Sequence, residues 1–314
     1  MRREKTTEES PALIAGELFG PLSENTPRPV VAIAAAAHRA TLQTVAAASS
    51  AGIAEFILFD EQELIEQYAA EAGISLEGVT IRECPDEDAA ARQAAATVAA
   101  GEAGVLMKGR VHTSEFSRSF LDRQLQLIPE GGLVSHTALF TIPDYHKPFL
   151  FTDGAINIAP DYERKCLILK NVLSVAAALG IKEPRTALIT PVETVSPRIP
   201  STVDAEKIAR LQQKGYFGPG YIEGPMALDA ALSAEAAAIK GITGNVPGNP
   251  DILLMPNLDC GNAVYKAFTL QPGTRSAGIL AGLRVPVVLT SRADSELTRF
   301  LSLYMALAVS ERTA

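Results

Sequence analysis

Long apolar runs, paired cysteines, metal-spaced histidines and surplus positive charge are all wanting in this 314-residue sequence. No stretch approaches the roughly 18 consecutive apolar residues that cross a membrane. The opening "MRREKTTEES" has no apolar core of the kind a signal peptide carries. A soluble, cytoplasmic protein without a membrane partner is therefore expected. Cys84, Cys166 and Cys260 are odd in number and far apart, which suits neither a disulfide framework nor a CxxC metal site. His38, His112, His136 and His146 show neither HxxxH nor HExxH spacing, so no metal site is expected. A formal charge of −8 argues against a broadly basic surface for nucleic acid. Any anionic ligand must then be held by local Arg, Lys and N–H groups against the overall field, which is the task of a pocket. GxxxxGK[ST], a strand-end GxGxxG and G-x-S-x-G are missing as well, which removes the P-loop, the dinucleotide fingerprint and the hydrolase elbow.

What is present is alternation. Strand-like "VVAIAAA", "EFILFD", "GVTIREC" and "GVLMKG" are each followed by a helical pattern, the last running from about Thr113 to Leu127. Repeated βα units imply a parallel sheet covered on both faces. From Leu133 the texture changes, because "LVSHTALFTIP" and "KPFLFTDG" stand a hairpin's length apart and read as an antiparallel pair. Helices are expected at about 162–179, 204–214 and 228–240, with "TALIT" and "DILLMPN" as strands. "AGILAG" and "VPVVLTS" then feed a terminal helix whose apolar positions are Phe300, Leu301, Tyr304, Leu307 and Ala308. The expected fold is α/β with two domains and parallel or mixed sheets. Residues 1–132 and 279–314 form a discontinuous first domain and residues 133–278 a second, with a cleft between them that collects loops from both.

The chemistry concentrates where strands give way to helices. Ser291 and Arg292 in "LTSRADS" stand at such a turn, where a new helix offers unpaired N–H groups to an anion. Arg292 could grip a phosphoryl or carboxylate group with paired, charge-assisted bonds. Equally, Ser291 and Asp294 form an S-x-x-D capping box, worth about 1 kcal/mol with no ligand at all. In "MKGRVHTSEF", Lys108 and Arg110 could hold phosphate oxygens, Gly109 lets backbone approach, His112 could donate or simply pack, and Thr113 is placed to cap the next helix. In "FTDGAINIAPDYE", Asp153 and Asn157 are either a site or an Asx-type turn before Pro160, which could open a helix. "PNLDCGN" ends another strand with Asn257 and Asn262. Four donor-rich strand ends converging carry more than any one alone.

"LTSRADS", "PNLDCGNAVYKAFT", "GPMALDAALSAEAA", "SPRIPSTVDA", "FTDGAINIAPD" and "MKGRVHTSEF", in that family's order, resemble the phosphate acetyl/butyryltransferases from about Val30 to the C-terminus. "IPSTVDA" with "TSRADS" looks closer to the butyryl than to the acetyl enzymes. The resemblance implies reversible transfer of a short acyl group between coenzyme A and inorganic phosphate, giving acyl phosphate. It implies a two-domain fold shared with isocitrate and isopropylmalate dehydrogenases, no tightly bound cofactor, and a homodimer or larger homo-oligomer formed through the second domain. Ser291 would bond the acyl carbonyl and Arg292 the phosphate, with Lys108, Gly109, His112, Thr113, Asp153, Asn157, Ser201, Thr202, Asn257 and Asn262 around the substrates. The sequence departs from the acetyl enzymes at Thr298, where they carry a proposed base for the thiol; Asp294 is the nearest carboxylate that could replace it, or is only the helix cap. Competing readings are a phosphate acetyltransferase, a non-catalytic acyl-CoA-binding subunit, and a metal-dependent hydroxyacid dehydrogenase, for which no carboxylate trio stands out.

Overall fold

The computed structural model describes residues 10–23, 27–291 and 294–313. The chain divides into two compact units, one made of the residues up to Leu125 with those from Val288 onward, the other of Gln126–Val287.

In the first unit, helix α1 (Pro11–Phe19) precedes β1 (Val30–Ala34), α2 (Arg39–Ser50), β2 (Glu55–Asp60), α3 (Gln62–Ala72), β3 (Thr80–Glu83), α4 (Glu87–Ala99), β4 (Val105–Lys108) and α5 (Thr113–Phe120). The strands lie in the order β3-β2-β1-β4, all parallel, so their carboxyl ends share one edge. Small side chains make this unit tight: α4 buries Ala89, Ala90, Ala91, Ala94 and Ala95, and the end of β1 runs into buried Ala35, Ala36 and Ala37. Asp86 caps α4 by accepting the Ala89 N–H at 2.7 Å. The terminal helix α11 (Glu296–Thr313) buries Phe300, Leu301, Tyr304, Leu307 and Ala308, as its periodicity requires, and packs against α1, α2 and β4.

The second unit holds β5 (Ser135–Thr141), β6 (Phe149–Thr152), α6 (Tyr162–Ala178), β7 (Arg185–Ile189), α7 (Pro200–Gln213), β8 (Tyr221–Met226), α8 (Leu228–Leu232), α9 (Ala234–Ile239), β9 (Ile252–Leu254), α10 (Leu258–Leu270) and β10 (Arg275–Ala281). Its order is β10-β5-β6-β9-β7-β8: β5 is antiparallel to both β10 and β6, and the other pairs are parallel. Here the core is aromatic. Phe140 meets Tyr265, Phe268, Phe149 and Phe151 at ring-centroid distances of 5.2, 5.4, 5.9 and 5.9 Å.

Several sequence expectations need correction. The second unit extends beyond 133–278, because β10 pairs with β5 over seven residues and carries the segment through Ala281 with it. The helix expected at 228–240 is broken at Ser233, whose extended backbone and hydroxyl cap α9 through the Ala236 N–H at 3.2 Å. "VPVVLTS" supplies only the two-residue strand β11 (Val287–Val288), with Pro286 just ahead of it unable to donate to a ladder. The helix from Thr113 stops at Phe120, and a 3-10 turn at Arg123–Leu125 follows.

Candidate functional site

The carboxyl ends of the first unit's parallel strands enclose a cavity of about 400 Å³. His38 and Thr41 reach it from the turn after β1 and the first turn of α2, and Glu87 from the start of α4. Lys108, Gly109 and Arg110 reach it from the end of β4, Thr290 and Ser291 from the turn after β11, and Arg299 from the first turn of α11. Four turns distant in sequence thus supply one wall of donors and charges, at the edge where parallel α/β sheets bind ligands.

Gly109 explains why two of these turns lie so close. A Cβ there would stand 2.1 Å from the Ala35 carbonyl oxygen and 2.7 Å from that of Ala34. The backbone instead continues the β1–β4 ladder beyond the strands, with Gly109 N–H on Ala34 O and Arg110 N–H on Ala35 O, both at 2.8 Å. Lys108 is 5% exposed and donates through Nζ to the Gly109 carbonyl at 3.1 Å. Its ammonium borders the cavity.

Arg110 is committed to a network rather than standing as an open phosphate grip. Its guanidinium donates through Nη2 and Nε to the two oxygens of Asp60 at 3.1 and 3.3 Å, and Nη1 lies 3.2 Å from Glu87. Asp60 is fully buried at the end of β2 and also accepts the Ala37 and Glu61 N–H groups at 2.8 and 3.0 Å. The hydrogen bond to Asp60 chiefly raises the Arg110 pKa, so the guanidinium stays charged. One carboxylate thereby pins the β1–α2 turn to the β4–α5 turn.

The approach to α11 differs from the expected capping box. Asp294 does accept the Ser291 N–H at 2.7 Å, but the helix starts later, where Ser295 accepts the Thr298 N–H at 3.1 Å and so acts as the cap. Ser291 and Asp294 therefore form a separate turn ahead of the helix, with Asp294 orienting Ser291. Arg292 lies outside the described residues. His112 and Thr113 are exposed at the start of α5 and do not border the cavity; His112, not Thr113, is the cap residue, since its carbonyl already accepts the Glu115 and Phe116 N–H groups at 3.1 and 3.0 Å.

The remaining expected residues lie in the second unit. Asp153 gathers the N–H groups of Ala155, Ile156 and Asn157 and the Asn157 side-chain amide at 2.8, 3.0, 3.3 and 2.7 Å, the Asx-type turn its sequence allowed. Asn262 joins this turn by donating to the Gly154 carbonyl at 3.1 Å, and Gly261 lets the chains meet, since a Cβ there would sit 2.3 Å from the Asp153 carbonyl. Pro160 does not open α6, because Asp161 beyond it is the cap and accepts the Arg164 N–H at 2.9 Å. Asn257 caps α10 through the Cys260 N–H at 3.0 Å. Asn257 and Ser201 share a second cavity, of about 520 Å³, whose walls include Ile189, Pro191, Leu228 and Val264. Thr202 is fully buried and spends its hydroxyl on the Ile199 and Ser196 carbonyls at 2.7 and 3.1 Å, holding the turn before α7.

His38, Glu87, Thr290 and Arg299 were not singled out by sequence for this cavity. Each follows a strand end or begins a helix, which is the signal that marks them. Among the described residues, no group of three His, Cys, Asp or Glu side chains is placed to hold a metal ion, and no helix is long and apolar enough to cross a membrane.

A mixed α/β protein that gathers lysine, arginine, histidine and serine at the strand ends of a parallel sheet is built to handle a small anionic molecule. The comparisons with known proteins narrow that class. A family model described as Phosphate acetyl/butaryl transferase matches residues 86–306. A phosphate butyryltransferase of Clostridium acetobutylicum is 39% identical over 280 residues, covering 89% of this chain and 93% of the relative. A phosphate acetyltransferase of Rhizobium meliloti is 37% identical over 265 residues, 84% of each chain. The crystal structure of a branched-chain phosphotransacylase from Enterococcus faecalis superposes with a TM-score of 0.79 at 34% identity, covering 90% of this chain and 99% of that one. The chain belongs to the phosphate acetyl/butyryltransferase family, whose named members are enzymes, and its mixed α/β architecture agrees with the phosphotransacylase fold.

Proposed function

We propose that this protein transfers a short acyl group reversibly between coenzyme A and inorganic phosphate, with butyryl favoured over acetyl. The observation that carries the reading is the nearly full-length match to a phosphate butyryltransferase. The first unit's cavity supports it. The reaction needs two bound reactants held in line and donors aimed at the developing oxyanion, and the hydroxyls and cations at the cavity wall suit both.

In this reading Ser291, held by Asp294, bonds the acyl carbonyl; Arg292 and the buried Lys108 hold the phosphoryl oxygens; and Gly109 keeps the wall close. Asp153, Asn157, Asn257 and Asn262 shape the second unit's strand ends, with Ser201 and Thr202 at the start of α7. Coenzyme A is a substrate, with no tightly bound cofactor. A dehydrogenase-like two-domain arrangement, a homodimer formed through the second unit and a cytoplasmic home belong to the same proposal and rest on the family resemblance.

Release of free thiol from acetyl-, propionyl-, butyryl- and isobutyryl-CoA, followed with and without arsenate in place of phosphate, tests it. Breakdown that depends on the oxyanion and is fastest with butyryl-CoA is expected. A faster acetyl reaction would make the protein an acetyltransferase, and tight CoA binding with no release from any of the four would make it a binding subunit.

A further inference from the structure

Arg299 stands in the first turn of α11 and borders the first unit's cavity together with Lys108, Gly109 and Ser291. In the acyl-transfer reading it has no task. Its side chain is half-buried, and its nitrogens are used unequally. Nη1 donates to the Asp294 carbonyl, and the Asp294 carboxylate accepts the Ser291 N–H at 2.7 Å, so one nitrogen ties α11 to the turn that carries Ser291. Nε is closed off from water without a hydrogen-bond partner, and Nη2 has none among the described residues. Nε and Nη2 form one edge of the guanidinium, the edge that commonly meets an oxyanion. The protein supplies that edge with no acceptor, and a buried donor left in this way calls for an explanation.

Bracing the turn does not explain it. The bond to Asp294 needs one donor and no charge. Arginines that brace this fold elsewhere are paired with carboxylates: Arg110 with Asp60 and Glu87, Arg82 with Glu102, Arg92 with Asp88, and Arg210 with Glu206. Arg299 has no carboxylate partner among the described residues. Glu87 borders the same cavity but is taken by Arg110. An anion entering the cavity would supply the missing counter-charge and the missing acceptor together.

We infer that Arg299 is a further substrate-binding residue, which holds the inorganic phosphate that takes the acyl group; the inference rests on the acyl-transfer reading. Nη2 donates to a phosphate oxygen while Nη1 keeps hold of the turn before α11. One side chain thereby fixes the phosphate relative to Ser291, and so relative to the acyl carbonyl that Ser291 bonds, which is the alignment that a reaction between two bound partners requires.

CoA release from butyryl-CoA, with phosphate and butyryl-CoA varied separately, tests this in Arg299→Met and Arg299→Lys. Arg299→Met should lower kcat/KM for phosphate about 10- to 100-fold, chiefly through KM, as loss of a hydrogen bond to a charged group does. Its kcat/KM for butyryl-CoA at high phosphate should stay near the wild-type value. Arg299→Lys, which keeps the charge, should recover part of the loss. In the wild type, phenylglyoxal should modify Arg299, as located by peptide mass spectrometry, and phosphate should protect it at concentrations near its KM. A loss confined to kcat and equal in both variants would make Arg299 only a brace for the Ser291 turn, and overturns the inference. So does a loss that falls on KM for butyryl-CoA, which would assign the guanidinium to a phosphate of CoA. An Arg299 that phosphate leaves unprotected, or that the reagent cannot reach, overturns it even if neither variant folds. A wild type that releases no CoA with phosphate or arsenate overturns the acyl-transfer reading along with this inference, and is recognised before any variant is made.

Discussion

The two units border their strand-end cavities with different side chains. In the first, α4 buries five alanines and three more follow β1, packed beside large side chains such as Phe59, Phe116 and Phe120. The second is packed from rings, with Phe140 touching four aromatic neighbours. In the first unit the turns after β1 and β4 continue hydrogen-bonding beyond their strands, with Gly109 N–H on Ala34 O and Arg110 N–H on Ala35 O, and Lys108 and Arg110 border the cavity. In the second, bulky side chains fill the interior and the cavity above β7, β8 and β9 inherits apolar walls, such as Ile189, Leu228 and Val264. The same position in a parallel sheet thus carries cations and hydroxyls in one unit and mainly apolar side chains in the other.

The comparison can be pressed first at the aromatic core. Phe140→Ala should destabilise the second unit by about 3–5 kcal/mol, the usual cost of emptying a buried ring site. Chemical denaturation read by a probe in each unit should show the second unit's transition moving to lower denaturant. Equal movement of both would mean that the two cores melt as one and that the distinction carries no thermodynamic weight.

A somewhat smaller effect sharpens the first unit. Burial, aided by the nearby Asp60, Glu83 and Asp86 charges, pushes the fully buried Cys84 thiol up to about 11 from 9.0. The folded state holds this proton more tightly than the unfolded chain. Its contribution is therefore complete below pH 9, falls as pH rises from 9 to 11, and amounts to about 3 kcal/mol at most. Replacing the thiol should flatten that part of the curve: Cys84→Ala should lose less stability than the wild type between pH 8.5 and 11. Parallel curves for the two proteins would show that the thiol ionises alike folded and unfolded.

Much of the architecture was legible because period is a local property. The βα alternation, the antiparallel pair at 135–152 and the apolar stripe of α11 all follow from residues close in sequence. β8 was missed because "YIEGPM" places Gly224 and Pro225 inside a strand, where both are ordinarily breakers. The cap of α11 was misplaced because two serines, Ser291 and Ser295, each stand three residues before a polar partner, and only packing decides which starts the helix. The network joining Asp60 to Arg110 spans fifty positions, and no spacing announces it. His38 enters the sequence reading only through its spacing from other histidines, because its place beside Lys108 and Ser291 comes from the fold and not from any motif.

The account stands on the first unit's cavity as the place where phosphate meets the acyl group, and Lys108→Met tests that most directly, since the replacement keeps the length of a buried side chain while removing its charge. CoA release from butyryl-CoA should saturate with phosphate in the wild type, and kcat/KM for phosphate should fall about 100-fold in the variant while its melting temperature holds near the wild-type value. An unchanged phosphate dependence in a folded Lys108→Met protein would contradict the account.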